Sequence, residues 1–164
     1  MTAGLPGLRP NRHMFIYQDI MSLIIFLLGH RPFEHEMVYA PCRSFTGTAD
    51  SPIRVYHELH SGDWWWNMQE RVPDGATIVP IILAVDKTQL SLISGDVAAW
   101  PVYVTIGNLS REARRRRTTP GTLLAGFIPT AKLQDPLLKS QVYHYCMGKL
   151  LSREYMHHVN GPAR

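Results

Sequence analysis

Two cysteines, Cys42 and Cys146, are all that this 164-residue chain carries. They lie far apart with no CxxC spacing, so neither a disulfide framework nor a cysteine-built zinc site is indicated, and a reducing compartment fits best. Charge is scarce too: Asp, Glu, Lys and Arg make up 18% of residues against 45% hydrophobic ones. That balance excludes a disordered polyelectrolyte and fits one globular domain, or part of one, with a core of its own. No long hydrophobic run is present. The most apolar window, Ile20 to Leu28, is too short to span a bilayer; Asp19 interrupts it upstream and His30-Arg31-Pro32 follows in place of a small-residue cleavage site. A soluble intracellular protein with no membrane partner is therefore expected. The chain also lacks a Gly-rich phosphate loop, a nucleophile elbow, a dinucleotide fingerprint, an HExxH pair and any internal repeat.

What is present centres on Ala76 to Leu90. A run of β-branched and aliphatic residues follows Pro73-Asp74-Gly75 and ends abruptly in Asp86, Lys87, Thr88 and Gln89. Continuous apolar character predicts a strand buried on both faces, with Asp86 at its carboxyl end, where α/β proteins build their sites. Asp86 there either caps the next turn or contributes a ligand to a divalent cation. One carboxylate is too few for two-metal chemistry, and Asp96, Glu112, Asp135 and Glu154 are the only acids further along.

The rest of the chain reads as helix, loop, helix, three strands and a last helix. Residues 1–13 hold Gly4, Pro6, Gly7 and Pro10 and suggest a flexible arm. Residues 14–72 form a helical and loop extension: a helix over Phe15 to Leu28, a mostly looped Arg31 to Pro52 with a short extended piece at Met37 to Tyr39, an undecided Ile53 to Leu59, and a helix over Trp64 to Arg71 behind an Asp63 cap. Residues 73–160 add to the first strand two more, Trp100 to Ile106 and Thr122 to Ile128, and a long helix from Asp135 to about Val159; residues 161–164 are a tail. Three consecutive strands with a helix packed across them suggest an α/β meander.

Three features could carry function. Arg111, Arg114, Arg115, Arg116 and Arg117 form a basic loop able to grip phosphates or direct nuclear import, although a solvated loop is the plainer reading. Trp64, Trp65 and Trp66 could stack on bases, but at helical spacing at most two share a face, and core packing is the commoner use. His57, Glu58, His60 and Asp63 imitate a metal cluster, but Gly62 breaks the segment and the spacing of a metal helix is missing.

Several stretches follow one another in order: Val55-Tyr56-His57-Glu58-Leu59-His60-Ser61-Gly62-Asp63-Trp64-Trp65-Trp66, Val79-Pro80-Ile81-Ile82-Leu83-Ala84-Val85-Asp86-Lys87-Thr88-Gln89-Leu90, Trp100 to Leu109, the arginine run, and Gly126-Phe127-Ile128-Pro129-Thr130. Together they resemble the Plavaka transposase family of fungal mobile elements. Leu28-Gly29-His30 and Tyr39-Ala40-Pro41 are similar to the family's upstream stretch, so the resemblance spans roughly residues 15 to 155. The family is related to CACTA-type cut-and-paste transposases. It implies a ribonuclease-H-like core in which a DDE triad binds two Mg²⁺ or Mn²⁺ ions, with the first acid on the first strand. Asp86 falls at that position, and Lys87 with Arg111 and Arg114 to Arg117 would lie near the phosphates of transposon ends in the nucleus.

In the family, later strands and the remaining acids follow the long helix, whereas this sequence ends at Arg164. The expectation is therefore the front of a partial ribonuclease-H-like core: a truncated transposase, inactive by itself, unless an intact full-length transposase supplies the missing carboxylates. The alternatives are a DNA- or protein-binding remnant working through its basic loop, and a relic with a bare sheet edge.

Overall fold

A computed structural model of the chain describes residues 2–4, 14–86, 88–89, 98–129 and 135–152. The elements in chain order are β1 (Thr2–Gly4), β2 (Met14–Tyr17), α1 (Ile20–Gly29), β3 (Ser44–Thr48), β4 (Ser51–Val55), α2 (Asp63–Gln69), β5 (Ile81–Val85), β6 (Thr88–Gln89), β7 (Ala98–Ile106), α3 (Arg111–Arg115), β8 (Leu123–Pro129) and α4 (Pro136–Leu150). Short 3₁₀ turns occupy Arg31–Glu36 and Leu59–Ser61. The mixed α/β expectation holds in the form of antiparallel sheets with several helices. The chain divides into two compact units, one drawn from residues 1–26, 83–104 and 123–164, the other from 27–82 and 105–122.

The first unit is built on a sheet in the order β1-β2-β8-β7-β5, with β6 also paired to β7. The three expected strands, β5, β7 and β8, are neighbours in that order, as a meander requires. Two further strands come from residues expected to be otherwise. Thr2–Gly4, part of the expected flexible arm, pairs with Met14–Tyr17; the remainder of that arm lies outside the described residues. Phe15 to Tyr17, expected to open a helix, is a strand that puts Phe15 and Tyr17 inside and leaves Met14 and Ile16 exposed. The correction has a physical cause. The segment is apolar almost throughout, so periodicity cannot separate a strand from a helix there. What does separate them is Asp19. Its Oδ2 accepts from the Ser22 backbone N–H at 2.9 Å and from the Ser22 hydroxyl at 2.6 Å, so the carboxylate starts α1 instead of riding on its face.

Where β2 meets β8, Tyr17 pairs with Gly126. A Cβ at Gly126 would stand 2.8 Å from the Ile16 carbonyl oxygen, so only glycine allows this approach. α4 starts at Pro136 behind Asp135, whose Oδ1 accepts from the Leu137 N–H at 2.9 Å. Val142, Cys146 and Leu150, four residues apart, are its buried stripe. The expected continuation of this helix beyond Ser152 falls outside the described residues.

β5 departs from expectation. It ends the sheet order and is not a central strand; Ile81 and Ala84 are exposed and the three others half-buried. A continuous apolar run signals burial but not on how many sides, and the ladder here begins only at Ile81.

In the second unit, β3 and β4 form a hairpin in the register Ser44↔Val55 to Thr48↔Ser51, in a stretch expected to be largely loop or undecided. Its core contains Leu27, Phe33, Trp65, Ile106, Leu109 and Ala113, all 0–1% exposed. Asn108, fully buried, ties this unit together. Its Nδ2 donates to the Val38 carbonyl at 2.8 Å and the Ile78 carbonyl at 3.2 Å, while the Val38 N–H donates to its own carbonyl at 2.9 Å.

Candidate nucleic-acid interface

The arginine run, expected as a loop, is partly a helix. Ser110 caps α3, its hydroxyl accepting from the Ala113 N–H at 3.1 Å, and Ala113 is buried. Burying position 113 orients the arginines around it, and they sort into two groups. Arg114 turns inward: its Nη1 donates to the Leu109 carbonyl and its Nη2 lies 3.4 Å from Glu58 Oε2. Arg116 makes a two-pronged pair with Glu36, at 2.7 and 2.9 Å. Arg111, Arg115 and Arg117 are exposed, and their guanidinium groups have no partner among the described residues. Lys87, expected to lie beside them on DNA, falls outside the described residues.

Glu58 anchors α3. Its Oε1 accepts from the Arg111 backbone N–H at 2.8 Å while Oε2 faces Arg114. It belongs to the turn between β4 and α2, which is organised by Ser61. That hydroxyl, 0% exposed, accepts from the N–H groups of His57 and Glu58 at 2.9 and 3.2 Å and donates to the Glu58 carbonyl at 2.7 Å. The same turn disperses the imitation metal cluster. Asp63 accepts from the Tyr56 hydroxyl at 2.9 Å and lies 3.5 Å from Arg54, His57 Nε2 lies 3.2 Å from the Ser44 hydroxyl, and Glu58 is committed to α3. His57 and His60 stack edge to face at 5.4 Å. Burial, reinforced by the positive charge His57 would carry, holds His60 below the ordinary histidine pKa of 6.5, while Glu58 opposes the shift.

The three tryptophans separate as helical spacing demands. Trp65 is fully buried in the core, and Trp66 is half-buried, with its Nε1 donating to Glu70 at 2.9 Å and the Arg43 guanidinium 4.4 Å above its ring. Trp64 is 55% exposed. With Tyr56, His57, Glu58, Leu59 and Gly62 it lines an open depression of about 370 Å³. Sequence reasoning did not find this depression, nor the anchoring roles of Glu58 and Ser61. Glu58 stands 56 residues from Arg114, and no local pattern signals such a pairing.

Asp86, in the first unit, directly follows β5 and is exposed. Among the described residues no three His, Cys, Asp or Glu side chains come together in a way that could hold a metal ion. The described residues therefore do not form a two-metal centre around Asp86.

A short helix and the residues after it thus carry three arginines without partners among the described residues, and in the first unit an acid follows one strand of an antiparallel sheet. The model of a protein family described as Plavaka transposase matches residues 4–158, nearly the whole chain. No curated protein and no solved structure was found to match.

Proposed function

The chain belongs to the Plavaka transposase family, and from that premise we propose that it serves DNA transposition by holding DNA through Arg111, Arg115 and Arg117. The observation carrying this reading is the division of the arginine run. A run serving only solubility would have no need to hold two of its members in ion pairs and leave three, in and just after one short helix, without partners among the described residues. Guanidinium groups suit phosphate because they remain charged and donate in a planar fork. In this reading the three-strand meander is the front of a ribonuclease-H-like core working on transposon ends in the nucleus. Asp86 is its first acidic residue and a candidate ligand for Mg²⁺ or Mn²⁺. The metal would supply an activated water or hydroxyl for strand cleavage, and the remaining ligands would come from carboxylates other than those the described residues assemble.

The test is DNA binding across a salt series, because phosphate contacts leave a slope of roughly 0.9 per neutralised phosphate in log affinity against log salt. Replacing Arg111, Arg115 and Arg117 together by Ala is expected to flatten that slope by about 2–3. An unchanged slope would remove the arginines from the interface. Mg²⁺- or Mn²⁺-dependent nicking lost in Asp86→Ala would instead show that the chain itself carries the chemistry.

A further inference from the structure

The depression beside α3 has no part in the chemistry described so far. We propose that it receives an unpaired nucleobase from the DNA that Arg111, Arg115 and Arg117 hold; this rests on the DNA-binding reading above and adds to it a preference for frayed or single-stranded ends.

Its walls are unusual for a protein surface. Tyr56 is 59% exposed and Trp64 55%, although large aromatic rings are commonly covered. The volume, about 370 Å³, has room for a planar ring with its sugar. Most polar side-chain atoms of the walls are already occupied within the protein. The Tyr56 hydroxyl donates to Asp63, Glu58 gives both oxygens to α3, and His57 Nε2 is bonded to Ser44. What remains for a ligand is the open aromatic surface with the Trp64 indole N–H and His57 Nδ1, which have no hydrogen-bond partner among the described residues. Such a site stacks on a ring without reading its edge, the way proteins hold single-stranded DNA irrespective of sequence.

Charge favours a nucleotide over a neutral ring. Glu58, the one carboxylate on the wall, is neutralised by Arg114. The Arg54 guanidinium, 4.8 Å over the Tyr56 ring, is in turn paired with Asp63 at 3.5 Å, so the charge left over nearby is that of the unpaired arginines. The Arg111 N–H donates to Glu58 on the wall at 2.8 Å, so the arginine run begins one hydrogen bond from the depression. A paired base cannot enter, since its faces are covered by its neighbours in the duplex; an unpaired one can.

The experiment compares a blunt duplex, the same duplex with a short unpaired overhang, and an overhang of abasic sites, by fluorescence anisotropy at several salt concentrations. Wild type is expected to prefer the base-bearing overhang at least about fivefold. Trp64→Ala should abolish that preference and Trp64→Phe should keep it, while both bind the blunt duplex with the wild-type salt slope. Circular dichroism confirms that the variants fold, and Tyr56→Ala is a second variant in the lining. Equal binding of blunt and overhang DNA, with the arginine dependence intact, overturns the base site alone. Loss of the preference to an aromatic peptide competitor, with no effect of abasic substitution, assigns the depression to a protein partner and also overturns it. Failure to bind any DNA overturns both readings.

Discussion

At Arg114 the guanidinium sits between the Leu109 carbonyl and the Glu58 carboxylate, with its side chain only 17% exposed. Arg114→Ala would leave both acceptors short of a donor and is expected to lower stability by about 1–3 kcal/mol, read from the urea midpoint. Arg115→Ala, one residue on, removes an exposed group with no partner among the described residues and should stay within roughly ±0.5 kcal/mol while weakening DNA binding. A stability loss in Arg115→Ala equal to that in Arg114→Ala would show that the division of duties is mistaken. The composition announced a basic segment but could not sort it, because sorting depends on Glu58 and Glu36, 56 and 80 residues away. Ser61 was equally hidden: a serine beside a glycine reads as a turn, and nothing local says that its hydroxyl is buried under three hydrogen bonds.

At the scale of elements, legibility followed the strength of the punctuation. α4 was readable at its start because Asp135-Pro136 is both a cap and a first-turn proline. β7 and β8 were readable because their apolar runs are bounded by Gly107-Asn108 and Pro129. β2 was not, since its apolar residues run on toward α1 and only the Asp19 cap divides them. β5 was found in place but misjudged in burial, because position at the end of a sheet is a property of pairing and not of the strand's own residues. The β2–β8 contact gives this scale its prediction. Gly126→Val would place a Cβ 2.8 Å from the Ile16 carbonyl oxygen and 3.0 Å from Tyr17 Cβ. The strands must part, at an expected cost of about 1–3 kcal/mol in chemical denaturation. Wild-type stability in that variant would mean that β2 does not lie on β8 this closely.

For the molecule as a whole, the family and the mixed α/β class were legible, because they rest on several ordered stretches of sequence spread over nearly the full chain. The depression at Trp64 was not legible, since it exists only once the Tyr56–Gly62 turn is folded against α2. The two cysteines offer a global test. Cys42 is exposed, whereas burial pushes the Cys146 thiol up to about 11 from an ordinary 9.0. In native protein at neutral pH a thiol reagent should modify Cys42 alone, and Cys146 only after denaturant is added, as mass spectrometry would show. The sign of the pH dependence follows. The folded state keeps the Cys146 proton longer than the unfolded state, so its contribution is complete below about pH 9 and is lost as pH rises toward about 11. Equal labelling of both thiols in native protein would contradict the packing of α4.

The arginine run also has a reading frame of its own. With Arg114 and Arg116 held in ion pairs and Arg111, Arg115 and Arg117 left without partners among the described residues, what each arginine does is set by its count from Ser110 and not by its identity. Deleting any one residue of Arg114–Arg117 yields the same shortened protein and costs a single charge. It leaves arginine at the first three of those places and brings Thr118 to the fourth, so the partners of Glu58 and Glu36 are kept and one outward charge is lost. An alanine inserted before Arg114 does the reverse: the charge is unchanged, but alanine stands where the partner of Glu58 belongs. Such an insertion should therefore be far less tolerated than a deletion within the run or an Arg-to-Lys exchange at its outward positions, and insertion scanning, more than charge scanning, would expose the order hidden in a repetitive string.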